Sequence, residues 1–381
     1  MECYPLLTKE GARGRFEMSL PPPDPLLRKE GGRVLMEGSQ ALAEAAVQAG
    51  CRFYAGYPIT PSTEILEYMS VRMPQVGGVC MNAESEIEAI GMVWGAAGTG
   101  ARAMTASTGQ GISLMQESFA ELANAQIPVV VVNMCRGQGD YFQSTRGGGH
   151  GDYRFIVLSP ASAQEAVDLT FQAFHLADKW RNPVMIMGDF LLSHTSELVE
   201  FHPIDERSLT PKTWATTGAA GRKAITLTPL GPSEKLSTNV AGALAGVVQK
   251  HPAIRRDEVR VDCGWLDDAV LVVVAFGFPG RFVKYAVQLA RARGRKVGYV
   301  RPISLWPFPS DAVTQAAAHA KVVAVFELNS GQMIEDVQLA VLGRAPVVAI
   351  GGISHDHSGF GVGPMLNVEY VLQRIEETYP Q

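Results

Sequence analysis

Apolar runs and amphipathic segments alternate along the chain from Arg33 onward. Short runs that are apolar nearly throughout, rather than at every second position, include CRFYAGYPI, GVCMNA, RAMTAS, IPVVVVNMCRG and NPVMIMGD. Between them lie segments with apolar residues at helical spacing, namely GSQALAEAAVQAG, SEIEAIGMVWGAAGTG, GISLMQESFAELANAQ and SAQEAVDLTFQAFHLADKWR. Strands with continuous apolar sequence are typical of a parallel sheet covered on both faces. The pattern therefore predicts an α/β fold with helices on both faces of a mostly parallel sheet.

The alternation stops near residue 198 and resumes near residue 269. The intervening segment is rich in Pro, Thr and Gly, and one helix is predicted in it near Lys235–His251. A second alternating unit follows in AVLVVVAFGF, FVKYAVQLARARG, KVGYVRPISLWPF, SDAVTQAAAHA, KVVAVFELNSG, QMIEDVQLAVLG and APVVAIGG. We predict two open, mostly parallel, doubly wound domains at 33–197 and 269–381. A connector at 198–268 joins them, and an irregular arm at 1–32 precedes them.

Composition narrows the class of partners. The chain carries 33 Lys and Arg against 38 Asp and Glu, with no long basic block, so nucleic acid and anionic membranes are not expected partners. No apolar run approaches the length of about 20 residues that spans a membrane. The five cysteines are scattered and form no C-x-x-C pair, so we expect no disulfide framework and no iron–sulfur or zinc site on this chain. These features, and an N-terminus without an apolar core, predict a cytoplasmic protein.

Two stretches of the first unit place polar chemistry at a helix start. Gly109 and Gly111 lie between a predicted strand and a predicted helix, where free N–H groups can bind an anion. The common phosphate-binding glycine motifs are missing, however, and a tight turn is the simpler interpretation. In NAESEIEA, Glu84, Glu86 and Glu88 precede a helix of small residues. Acids there stabilise the helix dipole, and the functional alternative is that one of them is a buried carboxylate addressing a cofactor.

The loop RGQGDYFQSTRGGGHGDYR carries the strongest functional signal. It follows a predicted buried strand and contains Arg136, Arg146, His150 and Arg154 among six glycines. An arginine beyond the carboxyl end of a parallel strand can hold a carboxylate in a two-pronged contact. So many glycines predict either a flexible lid or a close approach of the backbone to its neighbours.

Two further stretches have simpler interpretations. FELNSGQMIED places Glu327 at a strand end and Asn329 in a turn, which predicts a helix cap. In ISHDHSGFG, the spacing of His355 and His357 would allow metal ligation, but solvated histidines are the simpler interpretation. No metal site is therefore expected on this chain.

Six stretches together resemble the α subunit of 2-oxoacid:ferredoxin oxidoreductases. They are AGCRFYAGYPITPSTEILEYMS, NAESEIEAIGMVWGAAGTGARAMTASTGQGISLM, IPVVVVNMCRG, DYFQSTRGGGHGDYR, RPISLWPFP and FELNSGQMIEDVQLAV. The resemblance covers residues 33–346, with the connector weakest. The stretches DYFQSTRGGGHGDYR and RPISLWPFP are most similar to the branched-chain (2-oxoisovalerate) type and less similar to the 2-oxoglutarate type.

The resemblance implies a thiamine diphosphate pyrimidine-binding domain followed by a transketolase C-terminal-like domain. It implies that a β subunit holds the diphosphate and Mg²⁺, and the Gly-Asp-Gly motif for that task is missing here, with GDF at 188–190 the nearest approach. It also implies a γ subunit, a ferredoxin-like subunit with iron–sulfur clusters, and ferredoxin or another electron acceptor. These chains would form a hetero-oligomer with a dimer at its core.

The reaction that the resemblance implies is oxidative decarboxylation of a 2-oxo acid to an acyl-CoA and CO₂, with coenzyme A as cosubstrate. Electrons would pass through the iron–sulfur clusters to ferredoxin. A branched-chain substrate is expected first. An aromatic 2-oxo acid, 2-oxoglutarate and a non-catalytic role in assembly remain as alternatives.

The resemblance also assigns roles to residues of this chain. Glu84 corresponds to the glutamate that hydrogen-bonds the aminopyrimidine ring, Arg136 to the arginine that binds the substrate carboxylate, and Thr60 to the threonine that reaches the substrate. The other expected site residues are Pro58 and Ile59 for substrate, Thr108, Gly109 and Gly111 for cofactor, and Tyr141, Arg146 and His150 on a loop bordering the pocket. The chain departs from the family pattern at Asn82, where many relatives have Gln, and in the abrupt RGQGDYFQ.

Overall fold

A computed structural model describes residues 29–30, 32–202, 209, 211–228, 231–232, 245–353 and 366–381. Most of the predicted arm, and both His355 and His357, lie outside these residues. The first part of the chain forms β1 (Lys29–Glu30), β2 (Arg33–Glu37), α1 (Gly38–Gln48), β3 (Cys51–Gly56), α2 (Thr63–Gln75), β4 (Val79–Asn82), α3 (Glu86–Gly98), β5 (Arg102–Ser107), α4 (Gly109–Leu114), α5 (Gln116–Asn124), β6 (Val130–Cys135), α6 (Tyr141–Thr145), β7 (Ile156–Leu158), α7 (Ala163–Trp180), β8 (Val184–Asp189), α8 (Phe190–His194) and β9 (Ser196–Val199).

The second part of the chain continues the alternation after an irregular stretch. Its elements are β10 (Leu227–Thr228), β11 (Gly231–Pro232), α9 (His251–Asp257), β12 (Val261–Gly264), β13 (Leu271–Val274), α10 (Gly277–Ala292), β14 (Val297–Pro302), β15 (Ser304–Trp306), α11 (Ser310–Ala317), β16 (Val322–Val325), α12 (Met333–Val341), β17 (Val347–Ala349) and α13 (Val368–Thr378). Residues 245–248 are also helical, and the preceding part of the helix predicted near 235–251 lies outside the described residues.

The first unit is built on a seven-stranded sheet in the order β15-β7-β8-β6-β5-β3-β4. From β7 to β4 every neighbouring pair is parallel. Every residue of β5, β6 and β8 is buried, which requires cover on both faces of the sheet. The continuous apolar runs therefore predicted the sheet type correctly.

The second unit has a five-stranded sheet in the order β12-β14-β13-β16-β17. Its strands are parallel except β12, which pairs antiparallel with β14 from Val261↔Pro302 to Gly264↔Tyr299. Here the structure differs from the predicted connector, because β12 and α9 both fall within 198–268. The strand β12 lies at the sheet edge and is only partly buried, so its sequence lacks the continuous apolar run that marks the central strands.

A strand that pairs with the other unit's sheet and an ion pair both join the two units. The strand β15 leaves the second unit and pairs antiparallel with β7, with Ser304 opposite Leu158. The segment predicted as a strand and loop in RPISLWPF is thus two strands in two different sheets. Arg301 of β14 is 7% exposed and donates to both carboxylate oxygens of Glu165 in α7, at 2.9 Å each. These contacts dock the two units without involving the residues that follow β3, β4, β5 and β6.

Smaller elements complete the fold. The strands β1, β2 and β9 form a three-stranded antiparallel sheet, and β10 and β11 form a short hairpin pair. Of the helices that the structure describes, none combines the length and the apolar character needed to cross a membrane.

A buried histidine gives the fold a predictable response to acid. His251, the first residue of α9, is 9% exposed, and its ring packs edge-on against Trp306 with centroids 5.3 Å apart. Burial, reinforced by the positive charges of Arg154, Lys250 and Arg255, lowers the pKa of the imidazole to about 4. The ordinary pKa of a histidine side chain is about 6.5, so the unfolded chain binds the proton first as the pH falls.

We therefore expect His251 to contribute stability that is fully present above about pH 6.5 and is lost as the pH falls towards 4. The loss should be about 3 kcal/mol of unfolding free energy. In His251→Phe this part of the pH dependence should disappear, because phenylalanine keeps the contact with Trp306 and cannot be protonated. Denaturant unfolding of the full chain at pH 8, 6 and 4.5 would measure it. Equal slopes of stability against pH in the parent and the variant would contradict the expectation.

Candidate active site

Four neighbouring strands of the first sheet, β6, β5, β3 and β4, end at the same edge. The segments that follow them are residues 57–60 after β3, 83–86 after β4, 108–111 after β5 and 136–140 after β6. Ligands of open parallel sheets bind in the crevice beyond the carboxyl ends of the strands. Most of the predicted site residues are therefore brought to one edge of one sheet.

Glu86 places a carboxylate inside this edge. It is the first residue of α3, it is 5% exposed, and its Oε1 accepts a hydrogen bond from Ser107 Oγ at the end of β5, at 3.2 Å. Glu84 and Glu88 are both exposed. The N-cap of α3 is Ser85, whose Oγ accepts the N–H of Glu88 at 3.5 Å. Of the three acids of NAESEIEA, only Glu86 combines burial with a partner across the sheet.

The glycine turn after β5 packs directly against that carboxylate. A Cβ atom on Gly111 would overlap both Glu86 Oε1 and Ser107 Oγ, so no larger residue fits there without displacing them. A Cβ atom on Gly109 would lie 2.7 Å from Asp140 Oδ1. Immediately before Gly109, Thr108 is 1% exposed, and its hydroxyl has no hydrogen-bond partner among the described residues. A buried hydroxyl without a partner is costly unless a ligand or water satisfies it.

Arg136 and Thr60 meet at the ends of β6 and β3. The Nε of Arg136 donates to the backbone oxygen of Thr60 at 3.2 Å, and both residues are exposed. The turn that carries Thr60 is closed by Ser62, whose N–H and hydroxyl both donate to the oxygen of Ile59. The terminal nitrogens of Arg136 have no hydrogen-bond partner among the described residues, so the N–H edge of the guanidinium that these two nitrogens form remains available to bind a carboxylate.

Asp140, which follows β6 and lies beside Gly109, is a second acid at this edge and is partly buried. Burial raises the pKa of its carboxyl group, while hydrogen bonds from Cys135 and Asn133 and the charge of Arg136 act in the opposite direction. No group of three or more His, Cys, Asp or Glu side chains in the described ranges is arranged to hold a metal ion.

Comparison with known proteins identifies the family. Residues 44–242 match the family described as pyruvate flavodoxin/ferredoxin oxidoreductase, thiamine diphosphate-binding, and residues 269–358 match pyruvate:ferredoxin oxidoreductase core domain II. The ketoisovalerate oxidoreductase subunit VorB of Methanothermobacter thermautotrophicus is 42% identical over 319 residues, which cover 80% of this chain and 89% of VorB. The chain belongs to the 2-oxoacid:ferredoxin oxidoreductase family. The resemblance seen in the sequence is thereby confirmed.

The chain is also similar to family members that are named for 2-oxoglutarate. The 2-oxoglutarate synthase subunit KorA of Methanothermobacter marburgensis is 37% identical over 361 residues, which cover 84% of this chain and 95% of KorA. A 2-oxoglutarate:ferredoxin oxidoreductase from Magnetococcus marinus, solved with 2-oxoglutarate, coenzyme A and succinyl-CoA bound, has the same fold with a TM-score of 0.76 at 24% identity. This chain is covered to 92% and spans 66% of the length of that chain.

In this member of the family, the three residues expected on a loop bordering the pocket have partners elsewhere. Tyr141 is fully buried and donates to Asp336 of α12 at 2.6 Å. Arg146 donates to the same carboxylate at 3.1 Å. His150 is exposed and pairs with Glu121 at 3.0 Å. Two of the three therefore contact the second unit rather than the sheet edge.

The glycines of that loop serve close packing. The N–H of Gly148 donates to Gln116 Oε1 at 2.6 Å, and a Cβ atom on Gly149 would overlap the backbone oxygen of Gln116. Of the two alternatives for these glycines, the structure thus shows a close backbone approach to the start of α5.

The helix cap predicted in the second unit is confirmed. Glu327 is buried and accepts the N–H groups of Gln332, Met333 and Ile334 at 3.1, 2.8 and 3.1 Å. Its carboxylate thus satisfies the free donors at the start of α12.

Glu86 is the site residue whose burial the sequence interpretation did not single out. A signal for it was present, because Ala89, Ile90, Val93 and Ala97 of α3 are buried, and Glu86 precedes them at helical spacing. That spacing places Glu86 on the covered face of α3 and Glu84 ahead of the helix.

The glycine at 111 offers a direct test of this geometry. In Gly111→Ala the new methyl group would displace the Glu86 carboxylate, and we expect activity of the assembled enzyme to fall by about 100-fold or more. Gly91→Ala is a matched control in α3, since nothing lies within 4 Å of its Cβ position. It should leave activity unchanged and stabilise the helix by about 0.5–1 kcal/mol. Viologen-dye reduction and thermal unfolding measure the two effects. Full activity in Gly111→Ala would contradict the close approach.

Proposed function

We propose that this chain supplies the carboxylate and the arginine with which a thiamine-diphosphate-dependent 2-oxoacid:ferredoxin oxidoreductase acts on a 2-oxo acid that has one carboxylate and an apolar, branched side chain. The observation that carries the proposal is that buried Glu86 and exposed Arg136 lie at the same edge of one parallel sheet. The products would be CO₂ and the acyl-CoA, with coenzyme A as cosubstrate.

The residues present fit the aminopyrimidine end of the cofactor. The buried carboxylate of Glu86 and the unpartnered hydroxyl of Thr108 lie together at the end of β5, beside the glycine turn at 109–111. When bound, thiamine diphosphate supplies a carbon nucleophile for the keto group and accepts the electrons left behind by CO₂. Glu86 would hydrogen-bond a nitrogen of the pyrimidine ring and hold the proton that is exchanged at that nitrogen.

Burial supports Glu86 in this role over Glu84, which was assigned from the resemblance. An exposed carboxylate, such as that of Glu84, is hydrogen-bonded by water. Because the water screens its charge, its electrostatic interaction with a ligand is weak. The carboxylate of Glu86 is withdrawn from water and has one described partner, Ser107. It therefore retains acceptor capacity for a ring nitrogen.

Arg136 and the charges around it support the substrate class. Arg136 is the one cationic side chain in the four segments 57–60, 83–86, 108–111 and 136–140, which also contain the acids Glu84, Glu86 and Asp140. One arginine matches one carboxylate, and a second carboxylate on the substrate would meet these acids without a described cation. The exposed side chains of Tyr57 and Ile87 at the same edge favour an apolar substrate side chain.

Thr60 would contact the same substrate from the neighbouring strand end, together with Pro58 and Ile59. Its backbone oxygen holds Arg136, so the hydroxyl and the guanidinium are fixed relative to each other. Relatives named for ketoisovalerate and for 2-oxoglutarate, at 42% and 37% identity, are both similar to this chain, so the proposed substrate class rests on the charges and apolar side chains of the edge.

The similar proteins are named as subunits, which implies partner chains for this one. In the proposed assembly a β subunit holds the diphosphate and Mg²⁺, and iron–sulfur clusters on other subunits pass electrons to ferredoxin or another acceptor. A γ subunit completes a hetero-oligomer with a dimer at its core.

The choice between the two glutamates can be tested by a matched pair of variants. In the purified complex with thiamine diphosphate, Mg²⁺, coenzyme A and a viologen dye, Glu86→Gln should lower dye reduction by about 10²–10⁴-fold. Glu84→Gln should change it little. Glutamine has nearly the same shape, so thermal unfolding should be similar in both variants. The reverse result, with loss only in Glu84→Gln, would return the role to Glu84.

The substrate class can be tested with the same assay. We expect kcat/KM to be highest for 2-oxoisovalerate and at least about tenfold lower for 2-oxoglutarate, with phenylglyoxylate and pyruvate as further comparisons. Arg136→Met should raise KM for the preferred acid about 10- to 100-fold, because a charge-assisted contact is lost. Arg33→Met, an exposed arginine of β2, is the control and should have no effect. A preference for 2-oxoglutarate would refute the proposed class, and reduction with none of the acids would favour a purely assembling role.

A further inference from the structure

The loop that carries Arg136 is held from outside its own domain. We define the arginine segment as residues 136–142, which follow β6 and include the first two residues of α6. Gln138 lies at its centre and is 1% exposed. Its N–H donates to the backbone oxygen of Leu328 at 3.3 Å, and its Oε1 accepts the N–H of Leu328 at 2.8 Å. Its Nε2 donates to the backbone oxygen of Phe276 at 3.0 Å.

Three other residues of the second unit bind the same segment. Asn329 donates to the backbone oxygen of Gln138 at 2.9 Å. Gln332 donates to the oxygen of Gly139 at 2.7 Å and accepts the N–H of Phe142 at 2.8 Å. The hydroxyl of Tyr141 donates to Asp336, as described above. Most of the polar backbone groups in the centre of the arginine segment thus have their partners in the second unit.

These contacts are not needed merely to dock the two units. The strand β15 already adds to the first sheet, and Arg301 already pairs with Glu165 at a separate place. A docking contact also has no need to satisfy both the main chain and the side-chain amide of one buried glutamine. The four hydrogen bonds of Gln138 instead fix the path of the chain two residues after Arg136.

We propose that Gln138 is a positioning residue, through which the second unit holds the arginine segment so that Arg136 faces the substrate carboxylate. The inference rests on the proposed role of Arg136 and extends it to the second unit, to which it gives a part in substrate binding. Arg136 itself has only one described hydrogen bond, to Thr60. Its orientation therefore depends on how firmly the chain on its carboxyl side is held, and displacements near 1 Å in such groups are enough to weaken binding strongly.

The test uses the assembled complex and the variant Gln138→Met, which keeps the length of the side chain and removes the two hydrogen bonds of the side-chain amide, to Leu328 and Phe276. We expect KM for 2-oxoisovalerate to rise about tenfold, with a much smaller change in kcat. In the Arg136→Met background, Gln138→Met should cause no further rise, because it acts through the arginine. Gln332→Leu, at a less buried position of the same contact, should raise KM in the same direction and covers the case in which Gln138→Met does not fold.

The control is Arg301→Lys, which weakens the separate ion pair between the units. It should lower the thermal midpoint and leave KM unchanged. An equal rise of KM from Gln138→Met with and without Arg136 would overturn the positioning role and leave a structural one. A KM that does not respond to Arg136→Met at all would instead refute the proposed function of Arg136, and with it this inference. An unchanged KM in both Gln138→Met and Gln332→Leu, with KM still sensitive to Arg136→Met, would overturn only the inference.

Discussion

The burial of the Glu86 carboxylate against Ser107 and Gly111 is the interaction on which the rest of the site depends. A buried carboxylate is unfavourable unless it is hydrogen-bonded, and Ser107 provides one described donor at 3.2 Å. The start of α3 contributes the positive end of a helix dipole beside it. Since Gly111 has no side chain, the carboxylate and the Ser107 hydroxyl can pack directly against the turn after β5. The buried position of this carboxylate depends on three features of the fold, namely the strand order β5-β3-β4, the start of α3 and the turn after β5.

The second unit matters to the site because the chain crosses between the two sheets. The strand β15 belongs by sequence to the second unit and by hydrogen bonding to the first. In the same arrangement the turn after β16 lies against the loop after β6, and Leu328 and Asn329 bind Gln138. Residues separated by about 190 positions in sequence thus determine the shape of the loop that carries Arg136. In this chain the shape of the loop after β6 therefore depends on contacts that the second unit makes.

The sequence predicts the parts of this structure that local pattern determines. Continuous apolar runs identify the strands of both parallel sheets, and the motif GYPITP with the acidic helix start identifies the sheet edge. The pattern does not identify β12, because an edge strand lacks a continuous apolar run. It also does not identify the sheet to which β15 pairs, because pairing between domains has no signal in the local sequence. For the same reason Tyr141 and Arg146 are expected at the pocket, whereas their partner Asp336 lies on α12.

The difference between Glu84 and Glu86 shows where motif matching is limited. Both residues lie in the same motif, and a short acidic run can be matched in two registers. Helical spacing from the buried residues Ala89, Ile90 and Val93 selects Glu86, since these positions define the covered face of α3. Periodicity thus indicates which of the two acids is buried, which residue type alone does not.

The exposure of the site explains why this chain works as a subunit. An arginine that is open to water holds a carboxylate weakly, because the solvent screens the attraction, and exclusion of water makes the same contact much stronger. Arg136 and Thr60 are exposed, as are Tyr57 and Ile87 beside them, so the described residues of this chain do not cover the edge themselves. A partner chain placed over the edge would enclose the arginine and the buried glutamate in one dry cavity. The strength of substrate binding is then set at the contact between subunits, which couples assembly to activity.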